Sequence, residues 1–380
     1  MGIFSLGGAS GLIGLDISCS HFRAAHVTAG SPKPTLVNYA AIKVPVGTVI
    51  EGEIVDVDAA ADSLAQLWRK SSMAGRDVVV GVASQKVVVR LISIPFMEKS
   101  ELASAIQYQA QEYIPIPVQD AIIDAQVLSQ FLGENEEKMM EVLLVAAQKD
   151  MINNTVAAVE KAGLKPQVID LAAFALVRSL LGGDGHGFFL PSGEEDAPGA
   201  QATALINVSS GITNIVVVED GHPKFARVTS VAGDDLTKAI VDATGVSFED
   251  AELLKIRVGL PGLTEEPDDF EVPEALKAHV SATRNVLEAQ MSYFVGEIRR
   301  SLDYYLTQSV QAHSVGRVVV SGNGALLRNF CAYLEKGLQV KAELGDVMSR
   351  VQVSPKLSAE SLSEVEPSLA VPVGLALREL

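Results

Sequence analysis

Cysteine is nearly missing from this chain: two residues in 380, Cys19 and Cys331. They stand in what read as a strand turn and a helix, with neither metal-ligand spacing nor a disulfide framework, a usage that fits a reducing, cytosolic compartment. Histidine is thin as well, six residues with no HExxH or similar cluster, so no protein-ligated catalytic metal is expected. Positive charge is in deficit. Lys and Arg number 30 against 47 Asp and Glu, a formal net charge of −17, and that sign opposes general binding to nucleic acid or to an anionic membrane surface. No apolar run reaches the ~18 residues of a membrane-spanning helix, so no direct membrane insertion is expected. The start, MGIFSLGGASG, carries no charged region of a secretory signal. A partner must then be found by shape, by apolar contact or through a local basic spot.

Apolar material is plentiful: 48% of the residues are hydrophobic, enough for about two or three domains with buried cores. The alternating runs LIGLDIS and FRAAHVT predict two strands joined by a turn at Ser18 to His21. TLVNYAAIKV predicts a third strand, residues 58 to 73 a helix, and DVVVGVA and KVVVRLISIP two more buried strands. From Glu98 to Glu112 the stripe Leu102, Ile106, Ala110 and Tyr113 predicts a helix that the prolines of YIPIP stop. With the strands AIIDAQVLSQF and MMEVLLVAAQ it makes a small αβ subdomain over about 96 to 148. A helix from Lys149 to Ala162, stopped at Gly163, precedes PQVIDLAAFALVRSL, a strand running into a buried helix. The segment GGDGHGFFLPSGEEDAPGA, 182 to 200, precedes no GKS or GKT and reads as a linker near the middle of the chain.

Past this linker the chain repeats its own beginning. LINVSSGITNIVVVEDG lies without a gap on GLDISCSHFRAAHVTAG, so that Asn207 falls on Asp16, Ser209 on Ser18 and Gly221 on Gly30, an offset of 191 residues. Two strand–turn–strand units half a chain apart predict two lobes on one plan, both turns facing a shared cleft. Beyond them SFEDAELLKIRVGLPG predicts a helix capped by Ser247 and stopped at Gly259 and Pro261. A long helix from about 284 to 309 carries Leu287, Met291, Phe294, Ile298, Leu302 and Tyr305 on its core face. A strand RVVVSG, a turn GNG, a helix ALLRNFCAYLEKGL and an apolar helix PSLAVPVGLALREL complete the pattern.

Backbone N–H groups in a tight turn of small residues form a concavity that accepts phosphate oxygens, and an acid at the preceding strand end can hold a magnesium ion through water. The first turn has that composition, with Arg23 on the next strand where a basic side chain can reach outer phosphates. NVSSGIT offers a second set of N–H groups and hydroxyls, and VVVSGNGALL a helix N-terminus with bare backbone for a nucleotide's sugar or α-phosphate. Each has a structural alternative: a serine-bearing hairpin, a strand-face charge at Arg23, a solvated helical ion pair at Glu252 and Lys255.

In this order the three turns resemble the actin-like ATPase superfamily, which includes actin, Hsp70, sugar kinases and FtsA. Within it the chain is similar to the type IV pilus assembly protein PilM family. The resemblance rests on GLIGLDIS, on VVVRLISIPFMEKSELASAIQYQAQEYIPIPVQDAIIDAQVL with Glu112 and Pro115, and on AGLKPQVIDLAAFALVRSL, EIRRSLDYYL, VVVSGNGALLRNF and VPVGLALREL, in order over nearly the whole chain. It implies an α/β, two-lobed actin-like (ribonuclease H-like, duplicated) fold with a small αβ subdomain inserted in the first lobe. The first lobe would comprise 1–95 and 149–182, the insertion 96–148 and the linker 183–200. The second lobe would comprise 201–232 and 301–360 with its own subdomain at 233–300, and 361–380 would return to the first lobe as a C-terminal helix.

The same resemblance implies a site for ATP with Mg2+. Asp16 takes the place of the magnesium-associated acid. Ser18, Cys19, Ser20 and His21 form the first phosphate turn, and Arg23 replaces a lysine. Asn207, Ser209, Ser210 and Gly211 form the second turn, Glu252 and Lys255 flank adenosine, and Gly322, Asn323 and Gly324 make the adenosine turn. Ser18 stands for a glycine, Asn207 for an aspartate and Asn323 for a glycine, departures that weaken turnover more than fold. No catalytic residue is assigned, and nucleotide is expected to be held better than hydrolysed.

The implied partner is the N-terminal cytoplasmic segment of the inner-membrane protein PilN, docked between the first lobe and the inserted subdomain. Through PilN the implied assembly extends to PilO, and it includes the assembly ATPases that serve pilus assembly and twitching motility. The expected location is the cytoplasm, peripheral at the inner membrane, with a homo-oligomer or ring open. Two alternatives stay open: an active actin-fold ATPase or sugar kinase, which would want a carboxylate base where the second turn has Asn207 and Ser210, and an FtsA-like membrane-associated filament protein.

Overall fold

The computed structural model describes residues 12–73, 75–133, 136–181, 201–262, 271–308 and 314–379. The opening MGIFSLGGASG and the linker expected at 183–200 lie outside them. Strand β1 (Leu12–Ile17) turns back as β2 (His21–Thr28) and again as β3 (Thr35–Lys43). A short hairpin, β4 (Val49–Ile50) and β5 (Glu53–Ile54), leads to α1 (Val57–Ser71). Asp56 starts that helix by accepting the Asp58 and Ala59 N–H groups at 3.1 and 2.9 Å. Then come β6 (Asp77–Val82), β7 (Val87–Pro95), α2 (Lys99–Gln109), β8 (Ala121–Leu132), β9 (Lys138–Gln148), α3 (Lys149–Lys161), β10 (Lys165–Leu171) and α4 (Ala172–Leu180). The second half runs β11 (Ala202–Val208), β12 (Thr213–Glu219), β13 (His222–Thr229), α5 (Gly233–Thr244), α6 (Phe248–Val258), α7 (Val280–Gln308), β14 (Val315–Ser321), α8 (Phe330–Leu338) and β15 (Lys341–Leu344). It closes with β16 (Gln352–Val353), α9 (Ala359–Val365) and α10 (Ala370–Ala376).

The described residues form two main sheets, ordered β10-β6-β1-β2-β3-β16 and β13-β12-β11-β14-β15. Position for position, β3-β2-β1-β6-β10 of the first matches β13-β12-β11-β14-β15 of the second. The pairing register repeats too: Asp16 lies opposite Arg23 and Ile17 opposite Phe22, as Asn207 lies opposite Asn214 and Val208 opposite Thr213. The ungapped offset in the sequence is therefore an offset in hydrogen-bonded structure.

Alternation along β1 builds cores on both faces of its sheet, because successive side chains of a strand point to opposite sides. Ile13, Leu15 and Ile17 pack with Leu64, Leu67 and Trp68 of α1 and Val159 of α3. Leu12 joins the other cluster, with α4 and α10, and Leu205, Val216, Val218 and Val319 of the second sheet enter that same cluster. Helix α4 thus lies between the two lobes and touches both sheets, and α10 packs between it and the first sheet. Their close approach depends on missing side chains. A Cβ at Gly374 would overlap the Ala175 carbonyl oxygen, and one at Gly14 the Pro372 oxygen. The other face of the second sheet carries Ile206, Val208 and Ile215 against Leu254, Leu287, Met291 and Phe294, the last three on the expected stripe of α7.

Three details differ from the sequence expectation. Strand β7 pairs with β9, in a separate three-stranded sheet ordered β7-β9-β8, so the inserted unit takes in Val87 to Pro95, ahead of the expected 96. A buried apolar run specifies a strand but not which sheet it joins, and that ambiguity is the physical reason. Helix α7 begins at Val280, earlier than 284. The continuous helix expected from Ala325 is broken: a 3-10 turn spans Asn323–Leu326, Asn329 is left-handed at φ 63°, and α8 starts at Phe330. The Asn329 amide donates to the Leu260 carbonyl at 2.8 Å, which fixes that break against the end of α6.

A candidate nucleotide cleft between the lobes

The first turn closes on itself. Ser18 donates its N–H and its hydroxyl to the His21 carbonyl, at 3.3 and 2.7 Å. The second turn does the same 191 residues later, Ser209 donating N–H and hydroxyl to the Ile212 carbonyl at 3.0 and 2.8 Å. The departure from glycine at Ser18 is thus absorbed inside the turn, its Oγ turned toward the turn's own backbone. Ser20 Oγ lies 3.0 Å from His21 Nδ1. Burial, with the charges of Arg23 and Lys43, pushes the His21 imidazole down to about 4, so it is neutral near pH 7.

Arg23 stays beneath the turn. Its guanidinium donates to Ser18 Oγ at 3.2 Å and pairs with Asp16 Oδ2 at 3.6 Å, and the residue is 7% exposed. Burial pushes the Asp16 carboxyl up to about 6 against the downward pull of Arg23.

The second turn is the hub of the cleft. A Cβ at Gly211 would stand 2.5 Å from Cys19 Sγ, so the first and second turns touch across the lobes because position 211 has no side chain. Helix α5 docks on the same turn: Gly233 and Asp234 donate their N–H groups to the Ser209 and Ser210 carbonyls at 3.0 and 2.7 Å. Lys255 donates to the Gly233 carbonyl at 3.1 Å, to Thr237 Oγ1 at 2.8 Å and to Glu252 at 2.6 Å. Glu252 in turn accepts from Thr237 at 2.6 Å. Their pairing is therefore an anchored network behind the second turn, rather than a solvated helical pair.

The third turn packs on the second as well. Gly322, at φ +84°, would overlap the Val208 carbonyl oxygen if it carried a Cβ, and Gly324 would overlap the Val208 side chain. Asn207 Oδ1 accepts from Ser321 Oγ at 3.1 Å, which ties the turns together. Asn323 is exposed and is not among the positive-φ residues, so its replacement of a glycine strains nothing. Gly322 donates its N–H to Pro367 O at 2.8 Å. The break before α8 means that a 3-10 turn, and not the N-terminus of a long helix, follows these glycines.

The donors suit a phosphate better than a metal. Ser210 Oγ is buried with no hydrogen-bond partner, an acceptor or donor left spare in the second turn. Bare backbone stands at Gly211, Gly322 and Gly324. For magnesium the turns themselves offer one carboxylate, Asp16, already paired with Arg23; its counterpart in the second lobe is Asn207, and Asp234 at the start of α5, against Ser210, is a second acid beside them. Among the described residues no group of three or more His, Cys, Asp or Glu could hold a metal ion. The turns fit a phosphate, and their own carboxylate is already engaged by Arg23 and not free for a magnesium ion.

A separate hollow lies elsewhere. A groove of about 1700 Å³ runs between the inserted unit and the first lobe, its walls including Phe96, Met97, Ala103, Ile122 and Phe174. Its floor is charged: Asp170 pairs with Arg178, and with Arg378 at 2.9 Å. Arg178 also donates to the Gly374 carbonyl at 2.7 Å. Burial alone would raise the Asp170 carboxyl, but the two guanidiniums overcome it and hold the group below the usual carboxylate range. These residues were missed in the sequence, where the one signal was a lone acid inside the apolar run PQVIDLAAFALVRSL.

A family model described as type IV pilus assembly protein PilM matches residues 14–380. The chain belongs to that family. It is 25% identical to the solved PilM-PilN type IV pilus biogenesis complex, with a TM-score of 0.78 over 97% of this chain and 98% of that one. The ethanolamine utilization protein EutJ from Carboxydothermus hydrogenoformans is 14% identical at a TM-score of 0.53, covering 99% of this chain and 92% of that one. MreB5 of Spiroplasma citri bound to AMPPNP is 14% identical at 0.50, covering 89% and 92%. These two speak for the fold alone, which is the two-lobed actin-like one. The cell division protein FtsA of Bacillus subtilis is 24% identical over 285 residues, 68% of this chain and 61% of that protein. FtsA of Enterococcus hirae is 27% identical over 192 residues, 49% and 40%. The chain thus spans less than two thirds of the length of these curated relatives.

Proposed function

We propose that this chain is a cytoplasmic adaptor of the type IV pilus assembly machine. In this reading it receives the N-terminal cytoplasmic segment of PilN in the groove between the first lobe and the inserted unit, and holds a nucleotide in the interlobe cleft without turning it over at speed. The observation that carries the docking reading is the groove of about 1700 Å³, with apolar walls above a charged floor. Such a channel suits an extended segment whose apolar side chains fill the walls while its polar groups meet the floor. The likeness to the PilM-PilN complex over nearly both whole chains supports the partner. A net charge of −17 disfavours direct contact with anionic lipid, which supports attachment to the inner membrane through PilN.

Slow turnover follows from the second turn. A hydrolase would place a carboxylate base there, whereas this chain has Asn207, whose Oδ1 is engaged by Ser321. Helix α4 lines the groove with Phe174 and Val177 and shares a core with Val216 and Val218 of the second sheet. Nucleotide and segment are thereby coupled through one packed element.

The test is titration of a labelled PilN N-terminal segment, with and without ATP. Ala103 is exposed on the groove-lining side of α2, so Ala103→Glu should weaken binding at least about tenfold, near 1.4 kcal/mol, with no change in melting temperature. Equal affinity for wild type and variant would remove the groove from the reading, and equal affinity with and without ATP would remove the coupling.

A further inference from the structure

The first turn of an actin-like cleft is expected to work with a hydrated magnesium ion held near its acid. Here the acid already has a cation. Asp16 and Arg23 face each other in register across β1 and β2, 3.6 Å apart, with side chains only 16% and 8% exposed. The guanidinium also donates to Ser18 Oγ at 3.2 Å, and Ser18 is the first residue of the turn. The positive end of that ion pair therefore lies directly under the backbone that would receive phosphate. The pseudo-equivalent pair in the second lobe is Asn207 opposite Asn214, which carries no charge at all. Behind the second turn Lys255, paired with Glu252 at 2.6 Å, lies with its Nζ 3.1 Å from the Gly233 carbonyl, next to Ser209 and Ser210.

We infer that Arg23 is the built-in cation of this cleft, so that a nucleoside di- or triphosphate is held between the two turns without a divalent metal. The inference rests on the proposed nucleotide cleft and specifies its chemistry. A carboxylate that is already paired attracts a hydrated dication far less than a free one, because the pair presents a dipole instead of a net charge. Displacing the guanidinium to admit the ion would leave a buried, unpaired arginine, which is costly. Arginine also keeps its charge at any working pH and presents several donors in a fixed plane, so it can serve the carboxylate and the turn together. An ammonium at position 23 would act as a compact point charge and could not hold both in the same way.

The test is equilibrium binding of a fluorescent ADP or ATP analogue to the full chain, once in excess EDTA and once in millimolar Mg2+. The expected result is the same affinity, within about threefold, in both conditions. Arg23→Met should bind more weakly in EDTA and recover part of the loss with Mg2+. Arg23→Lys should show a smaller loss. The remote groove serves as the check on folding, since segment affinity measured without nucleotide should be unchanged in both variants. Binding that weakens tenfold or more in EDTA for the wild type would overturn the inference and leave the nucleotide reading intact. No binding in either condition would overturn the nucleotide reading itself, and the inference with it. Wild type and Arg23→Met that respond identically to Mg2+ would show that Arg23 does not play the cation's part.

Discussion

Replacing Asp170 by asparagine should destabilise the protein by about 3 kcal/mol. The carboxylate is 3% exposed and pairs with two guanidiniums, Arg178 and Arg378, themselves 13% and 20% exposed. Removing one partner of a buried ion pair costs about 3–5 kcal/mol, chiefly because the remaining charge stays desolvated and unpaired. The low end applies here since both arginines keep some contact with water. Asparagine retains the Oδ1 that accepts the Leu171 N–H at 2.7 Å, so the start of α4 is preserved and the loss reports the charge. Urea denaturation of wild type and Asp170→Asn measures it. Adding Arg178→Met should recover part of the loss, because the two sites share one network and their effects do not add. A loss below about 1 kcal/mol, or simple additivity in the double variant, would refute the view that the groove floor is held by this cluster.

Asp16 should show as a pH dependence. Its carboxyl stands near 6 in the fold against an ordinary value of 3.8, so the folded state binds this proton more tightly than the unfolded one. The resulting stabilisation is fully present below 3.8 and lost as pH rises through about 6, on the order of 3 kcal/mol in all. His21, pushed down to about 4, works in the opposite direction, but it is common to wild type and Asp16→Asn. The difference between their stability-against-pH curves should therefore isolate Asp16, and parallel curves between about pH 4 and 7 would sink the assignment. Gly14→Ala places a Cβ against Pro372 O and 2.8 Å from Ala376 N. It should push α10 from β1 and cost about 3 kcal/mol, read as a lowered melting temperature. Gly245→Ala meets no atom within 4 Å at φ +72° and should cost only the left-handed strain, about 1–2 kcal/mol. Equal losses in the two variants would contradict the packing account of α10.

Much of this was legible in the sequence because it depends on local pattern. Alternation marked β1 and β2, the ungapped 191-residue offset carried over into their register, and the apolar stripe of α7 is buried as expected. The turns were legible as turns, and the structure gathers the other three predicted groups around the second one. The rest was hidden because it depends on partners far away in sequence. The runs in β6 and β7 look alike, yet they join different sheets. The side chain of Arg23 could be read as reaching outward or lying back, and only the pairing of β1 with β2 places it against Asp16. Asn207 reads as a lost charge until Ser321, 114 residues on, is seen to occupy its Oδ1. The groove floor joins Asp170 to Arg378 from the other end of the chain, a contact no spacing rule contains.

The central claim, that the groove between the first lobe and the inserted unit receives the PilN segment, is tested most directly by hydrogen exchange on the full chain with and without that segment. Exchange should slow in β8 and α2 and around Gly30 to Pro34, the elements that wall the groove. It should change little on α6 and α8, which lie in the second lobe's own core. Protection confined to the second lobe, with β8 and α2 unaltered at saturating segment, would contradict the claim.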